Sequence, residues 1–320
     1  MRTGLSYNDV CLVPKYNNII SRSEPDLGSW LSKDYHMMIP IVAANMDSVI
    51  GPKLAEVMHN FGSPPIFHRF YKDTTELIDL VDKYRGRCFM SWGVKGIDHL
   101  KSMVEDNDLR PIGICVDIAH GHSLTVCHTI EKIREWKGDY EIIAGNVCTA
   151  QAYHDLCNAG ATAVKVGIGP GSVCTTRDVT GFGVPQLTAL QDCAKVALSM
   201  KIPMIADGGI KSSREIVLAL AAGASSVMVG GLLAATKEAA GQGVYRGQAS
   251  HSFQESFYGG VKEGTVPEGT VIGCNVLSSA KMVLDNLLGG IRSGMTYGGA
   301  INIKELQRKA EFMRVTEDYR

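Results

Sequence analysis

Short runs of contiguous apolar residues, rich in Val and Ile, recur at 39–43, 65–68, 88–92, 112–116, 141–144, 163–166, 203–206 and 226–229. Each is bounded by Gly, Pro, Asn or Asp and does not alternate with polar residues, the pattern of strands buried on both faces. Between the runs the apolar positions change to helical spacing, at 74–84, 122–137, 150–159, 186–200 and 213–222, each long enough for a crossover helix. Eight such strand–helix units predict an α/β fold, a TIM (β/α)8 barrel, with residues 1–320 forming one domain. A doubly wound open sheet competes on the same pattern, but it ordinarily carries Gly-x-Gly-x-x-Gly after an early strand, and none occurs here.

One stretch departs from the repeat. From 241 to 273 the chain is rich in Gly, Ser and polar residues with little periodicity, and a helical pattern resumes only with Ala280, Val283, Leu284, Leu287 and Leu288. A loop of this length in a compact domain is either an active-site lid or disordered. The aromatic residues Tyr245, Phe253, Phe257 and Tyr258 favour a long mobile flap after the eighth strand, closing on a ligand.

Composition narrows the function class. Lys and Arg number 32 against 33 Asp and Glu, a formal net charge of -1. With no basic stripe and no acidic tail, nucleic acid is not an expected partner, and any anion is held locally. No apolar run reaches the ~18 residues of a membrane span and the N-terminus lacks a signal-peptide core, so a cytoplasmic protein without membrane contact is expected. The nine cysteines include no Cys-x-x-Cys pair, which suggests neither a disulfide framework nor a zinc site. Most of them are expected to be buried and inert.

In a barrel of this kind, chemistry belongs on the loops at the C-terminal ends of the strands. Cys174 lies in the loop after the sixth run, Gly167-Ile168-Gly169-Pro170-Gly171-Ser172-Val173-Cys174-Thr175-Thr176-Arg177, among glycines and hydroxyls that favour an exposed thiol. A thiolate is a nucleophile and bare glycine N–H groups bind anions, so covalent chemistry on a phosphorylated substrate is the functional reading, against a merely structural loop cysteine. Asp207-Gly208-Gly209 and Gly230-Gly231 follow the seventh and eighth runs, where this fold commonly binds phosphate. They make a phosphate site with Ser172, or only tight turns; Asp207 then stands ready to accept from ribose hydroxyls. His120 and His122 lack a third ligand in evidence and point to local hydrogen bonding before metal. His68 and Arg69, after the second run, face a cofactor phosphate or the solvent, and the sequence does not decide between them.

The cysteine loop, Asn45-Met46-Asp47, Ala206-Asp207-Gly208-Gly209 and Gly289-Gly290-Ile291-Arg292-Ser293 resemble the catalytic barrel shared by IMP dehydrogenase and GMP reductase, along essentially the whole chain. The resemblance implies that Cys174 attacks purine C2 and that a hydride is exchanged with a nicotinamide. It further implies Ser172, Gly209, Gly230 and Gly231 at the 5′-phosphate, Asp207 at the ribose and Met46 at the base. Tyr245, Arg246, Gly247 and Gln248 are the other substrate-binding candidates; Asp117 and Asn146, with His68 and Arg69, are the cofactor-binding ones. The carbonyls of Gly167, Gly169 and Cys174 resemble a potassium (K+) site, and the family implies a homotetramer.

Direction turns on the flap. The chain has no room for the CBS modules that most dehydrogenases of the family insert, and 241–273 lacks their Arg-Tyr pair, while Thr176 and Glu268 match the family's ammonia relay, with Glu263 as a rival. A GMP reductase is therefore expected, converting GMP with NADPH to IMP and ammonia. Thr180-Gly181-Phe182-Gly183-Val184-Pro185-Gln186, Gln248-Ala249 and Thr265 instead favour a CBS-less IMP dehydrogenase, oxidising IMP to XMP with NAD. A purine-nucleotide-binding regulator without turnover is the alternative of another class; it would need none of Cys174, Thr176 and Glu268.

Overall fold

A computed structural model describes residues 1–316. Eight parallel strands form one sheet: β1 (Ile41–Ala43), β2 (Ile66–Phe67), β3 (Phe89–Trp92), β4 (Gly113–Asp117), β5 (Glu141–Val147), β6 (Ala163–Val166), β7 (Met204–Asp207) and β8 (Ser226–Val229). Each coincides with one of the apolar runs. The sheet curls until β8 pairs with β1, Val229 opposite Ala43. The seam lies between β1 and β2, where the strand ladder lapses among the described residues. Pro64 and Pro65 supply no N–H there, which keeps β2 to two residues. Ser63 Oγ donates to the Ile41 carbonyl at 2.7 Å and partly bridges the gap.

The outer layer is α1 (Pro52–Asn60), α2 (Thr74–Lys83), α3 (Ile97–Asp106), α4 (Leu124–Trp136), α5 (Ala150–Asn158), α6 (Gln186–Met200), α7 (Ser213–Ala221) and α8 (Ala280–Tyr297). Several start on the caps their sequences announce: Asp73, Ser123, Thr149, Ser212 and Ser279 each accept a backbone N–H of the first turn. The barrel interior and the strand–helix layer form one core, in which strand residues such as Ile41, Ile114, Ile142 and Val227 are fully buried. A hairpin, Ser29–Ser32 with Tyr35–Met37, covers the end of the barrel away from the functional loops, with Leu31 fully buried.

Segment 241–273 holds more regular structure than its composition announces. Val244–Arg246 pairs antiparallel with Val271–Gly273, and His251–Tyr258 is a helix whose cap, Ser250, accepts from Phe253 N–H. Its glycines and polar residues belong to turns and exposed faces, which hid the eight-residue helix. Among the described residues, no helix is long and apolar enough to cross a membrane.

Candidate active site

Gly167 ends β6 with φ +151°, and a Cβ there would lie 1.9 Å from the Asp207 carbonyl, so only glycine lets the loop leave the strand beside β7. The loop then turns on a bond from Cys174 N–H to the Gly171 carbonyl at 3.1 Å. Half-buried Cys174 sits at the mouth of the barrel, in a cleft bordered by Met46, Asp117, Asn146, Asp207, Gly209 and Gly230. Its Sγ donates to Thr176 Oγ1 at 3.3 Å, and Thr176 Oγ1 donates to Glu268 Oε2 at 2.9 Å. Thiol, hydroxyl and carboxylate thus form one hydrogen-bonded chain.

That chain closes because residues 268–270 lie along the cysteine loop like an added strand. Thr175 N–H donates to the Glu268 carbonyl at 3.2 Å and Thr270 N–H to the Val173 carbonyl at 2.9 Å. Gly247 permits this approach, since a Cβ there would come within 2.8 Å of the Val173 carbonyl. The rival Glu263 is exposed on the far turn of the segment and does not border the cleft.

Four of the nine cysteines are buried, Cys88, Cys115, Cys157 and Cys193, and burial pushes each of these thiols up to about 12. That is fewer than the majority the sequence predicts to be buried. Cys11, Cys127, Cys148, Cys174 and Cys274 are half-buried, all but Cys11 and Cys127 lying in loops or just past strand ends.

The glycine pairs stand together. The four-residue helix Gly231–Ala234 follows β8 directly, and the first N–H groups of a helix lack intrahelical acceptors. Tyr245 lies across this turn, so near that a Cβ on Gly230 would approach its Oη to 2.4 Å. Burial raises the Tyr245 hydroxyl's pKa and keeps it a donor. Ser172, Gly231 and Gln248 border the same cleft, and Gln248 Nε2 donates to the Asn45 carbonyl at 2.9 Å.

The floor holds a residue that motif reasoning passed over. Lys165, on β6, is 2% exposed; its Nζ lies 2.7 Å from Asp117 Oδ1 and 3.2 Å from Asp207 Oδ2. Asn146 Nδ2 also donates to Asp207 Oδ2, at 2.9 Å. Burial alone would lower the pKa of Lys165, but the two carboxylates outweigh it and the net shift is upward, leaving a permanent ammonium. The signal is in the sequence: a lysine inside Ala163–Val166, an otherwise apolar and wholly buried barrel strand, must find anionic partners.

Two candidates are not brought to the cleft. His68 is buried, its ring stacked on Tyr71 at 4.0 Å and its Nδ1 accepting from Phe70 N–H at 3.1 Å. Burial lowers its pKa to about 4, so the ring is neutral. Arg246 turns outward to pair with Asp47, donates to Ser256 Oγ at 3.1 Å, and lies over the Phe253 ring. Arg69 does border the cleft, and its Nε is buried without a partner.

The carbonyls compared with a potassium site are already engaged. Gly169 O accepts Arg177 Nε at 2.8 Å and a second nitrogen of the same guanidinium, while Gly167 O accepts Asn146 Nδ2 at 2.9 Å. With the Arg177 guanidinium on one carbonyl and the Asn146 amide on another, the residues as placed do not make a cation cage.

The sequence model of the IMP dehydrogenase / GMP reductase domain matches residues 4–319. An inosine-5′-monophosphate dehydrogenase from Aquifex aeolicus is 48% identical over 74% of this chain, which spans about half (51%) of that relative. One from Cryptosporidium parvum is 34% identical over 98% of this chain and 92% of its own length. A GMP reductase from Ascaris suum is likewise 34% identical, over 98% of this chain and 93% of its own. With a family match over residues 4–319 and relatives 34% identical over 98% of its length, the chain belongs to the IMP dehydrogenase / GMP reductase family of oxidoreductases.

Proposed function

We propose that the protein is a GMP reductase, converting GMP to IMP and ammonia with NADPH. The observation that carries this reading is the continuous chain from Cys174 Sγ through Thr176 Oγ1 to Glu268 Oε2. Cys174 Sγ bonds to purine C2 as its proton passes along Thr176 to Glu268. The 2-amino group takes that proton back along Thr176 and leaves as ammonia; once C2 has gained a hydride, the C–S bond breaks, sulfur leaves as thiolate and IMP is released. When bound, NADPH supplies the hydride that C2 gains. Asp117, Asn146 and Arg69 border the part of the cleft that suits the nicotinamide group; Ser172, Gly209, Gly230 and Gly231 suit the 5′-phosphate, Asp207 the ribose, and Met46 the base. Water as the alternative acceptor of the covalent intermediate needs a base. The single arginine of 241–273, Arg246, is committed to Asp47.

The second reading, an IMP dehydrogenase using NAD, is favoured by the 48% identity to the Aquifex aeolicus protein. Paired assays decide. GMP with NADPH should consume reduced cofactor, and IMP with NAD should produce none; turnover confined to the second pair would reverse the assignment. We also propose self-association, in keeping with the exposed apolar residues Val271, Ile272, Leu277 and Met282. Sedimentation of a monomer at micromolar concentration would refute it.

A further inference from the structure

Lys165 lies at one point of contact between the two ligand regions of the cleft. Its ammonium reaches Asp117, on the side proposed for the nicotinamide nucleotide, and Asp207, on the side proposed for the substrate ribose. The side chains of both carboxylates are mostly buried, 16% and 21% exposed, and Lys165 is the cation that the described residues place against them. Asn146 ties Asp207 to the Gly167 carbonyl and so to the start of the cysteine loop. Gly145 makes room for this arrangement: a Cβ there would come within 2.7 Å of Lys165 Cβ. Left without the ammonium, two like charges would face each other across a dry floor and swing apart.

We infer that Lys165 is a positioning residue that fixes Asp117 and Asp207 as acceptors for two ligands at once, so that nucleotide and dinucleotide recognition rest on one shared charge. With its side chain 2% exposed and its ammonium against both carboxylates, Lys165 acts through them. The inference rests on the proposed nucleotide site. It predicts a loss shared between two binding terms, with the covalent chemistry of Cys174 intact.

The test is alkylation of Cys174 by iodoacetamide, followed by peptide mass analysis, with GMP as protecting ligand. In Lys165→Gln, unliganded Cys174 should react at the wild-type rate, while the GMP concentration for half-protection rises about tenfold or more, the scale of one lost charged hydrogen bond. KM for the nicotinamide nucleotide should rise with it, and kcat at saturation should stay within a few fold. Wild-type protection in the variant, or a fall in kcat with both concentration dependences unchanged, would overturn the inference. Should Lys165→Gln fail to fold, the double variant Lys165→Gln/Asp117→Asn removes the opposing charge and must show the same loss of GMP protection; protection at wild-type concentration overturns it equally. If neither GMP nor IMP protects the wild-type thiol, the nucleotide reading falls and this inference falls with it, whereas protection of wild type and variant alike sinks the inference alone.

Discussion

The hydrogen-bonded chain at Cys174 joins groups from two segments 92 residues apart, Thr176 beside it and Glu268 of segment 241–273. Cys174→Ala should abolish turnover while equilibrium dialysis still detects bound nucleotide; residual turnover would exclude the nucleophile. Glu268→Gln should lower kcat by about a hundredfold, the usual scale of lost general acid–base help, with nucleotide KM little changed. Unchanged kcat would remove Glu268 from the relay. His68 gives a prediction about stability. Its folded pKa of about 4 lies below the ordinary 6.5, so above pH 6.5 both folded and unfolded states carry a neutral ring and stability is flat. As pH falls from 6.5 towards 4 only the unfolded state gains the proton, and about 3 kcal/mol is lost. Urea midpoints at pH 7 and pH 4.5 should converge in His68→Gln relative to wild type, once the remaining pH dependence is subtracted.

At the scale of elements, the cysteine loop is completed by a segment from outside the barrel strands. The hairpin formed by Val244–Arg246 and Val271–Gly273 carries residues 247–270 over the cleft. Arg246 on Asp47, after β1, and the aromatic group of Phe70, Phe253 and Phe257 anchor it, together with Gln248 on the Asn45 carbonyl and the backbone bonds of 268–270 to the cysteine loop. Asp47 Oδ1 is already buried without a partner, so removing Arg246 strands the whole carboxylate. Arg246→Leu should weaken closure by about 2 kcal/mol and speed tryptic cleavage after Lys262 by roughly tenfold or more. Cleavage at the wild-type rate would show that the remaining contacts hold the segment without Arg246. The helix His251–Tyr258 was illegible because it buries only Phe253; a helix with one buried residue leaves no periodic stripe to read.

Across the whole molecule, the two ends of the chain support the site indirectly. Val10–Leu12 pairs antiparallel with Phe312–Arg314, and Val13 N–H donates to the Glu311 carbonyl at 2.9 Å. Arg214, at the start of α7, donates to the carbonyls of Tyr7 and Val10, and the Tyr7 ring packs beneath Gly209. Truncation after Ala310 should therefore lower the melting temperature by a few degrees and weaken nucleotide binding as well, through loss of the clasp that holds Tyr7. A truncated chain with unchanged nucleotide affinity would show that Gly209 keeps its conformation without that support.

Sequence alone determined the barrel, because strands covered on both faces must be continuously apolar, and the eight runs stand where β1–β8 are found. It also placed Cys174, Thr176 and the glycine turns at the strand ends, since glycines at close backbone approaches and polar residues amid them are local signals. Tertiary structure decided which side chains face one another. It turned His68 into the core and Arg246 towards Asp47, set Arg177 and Asn146 on the loop carbonyls, and brought Glu268 to Thr176. It also made Lys165 the shared partner of Asp117 and Asp207. These are contacts between distant segments, fixed by sheet closure and loop docking, and residue spacing along one strand or loop carries no record of them.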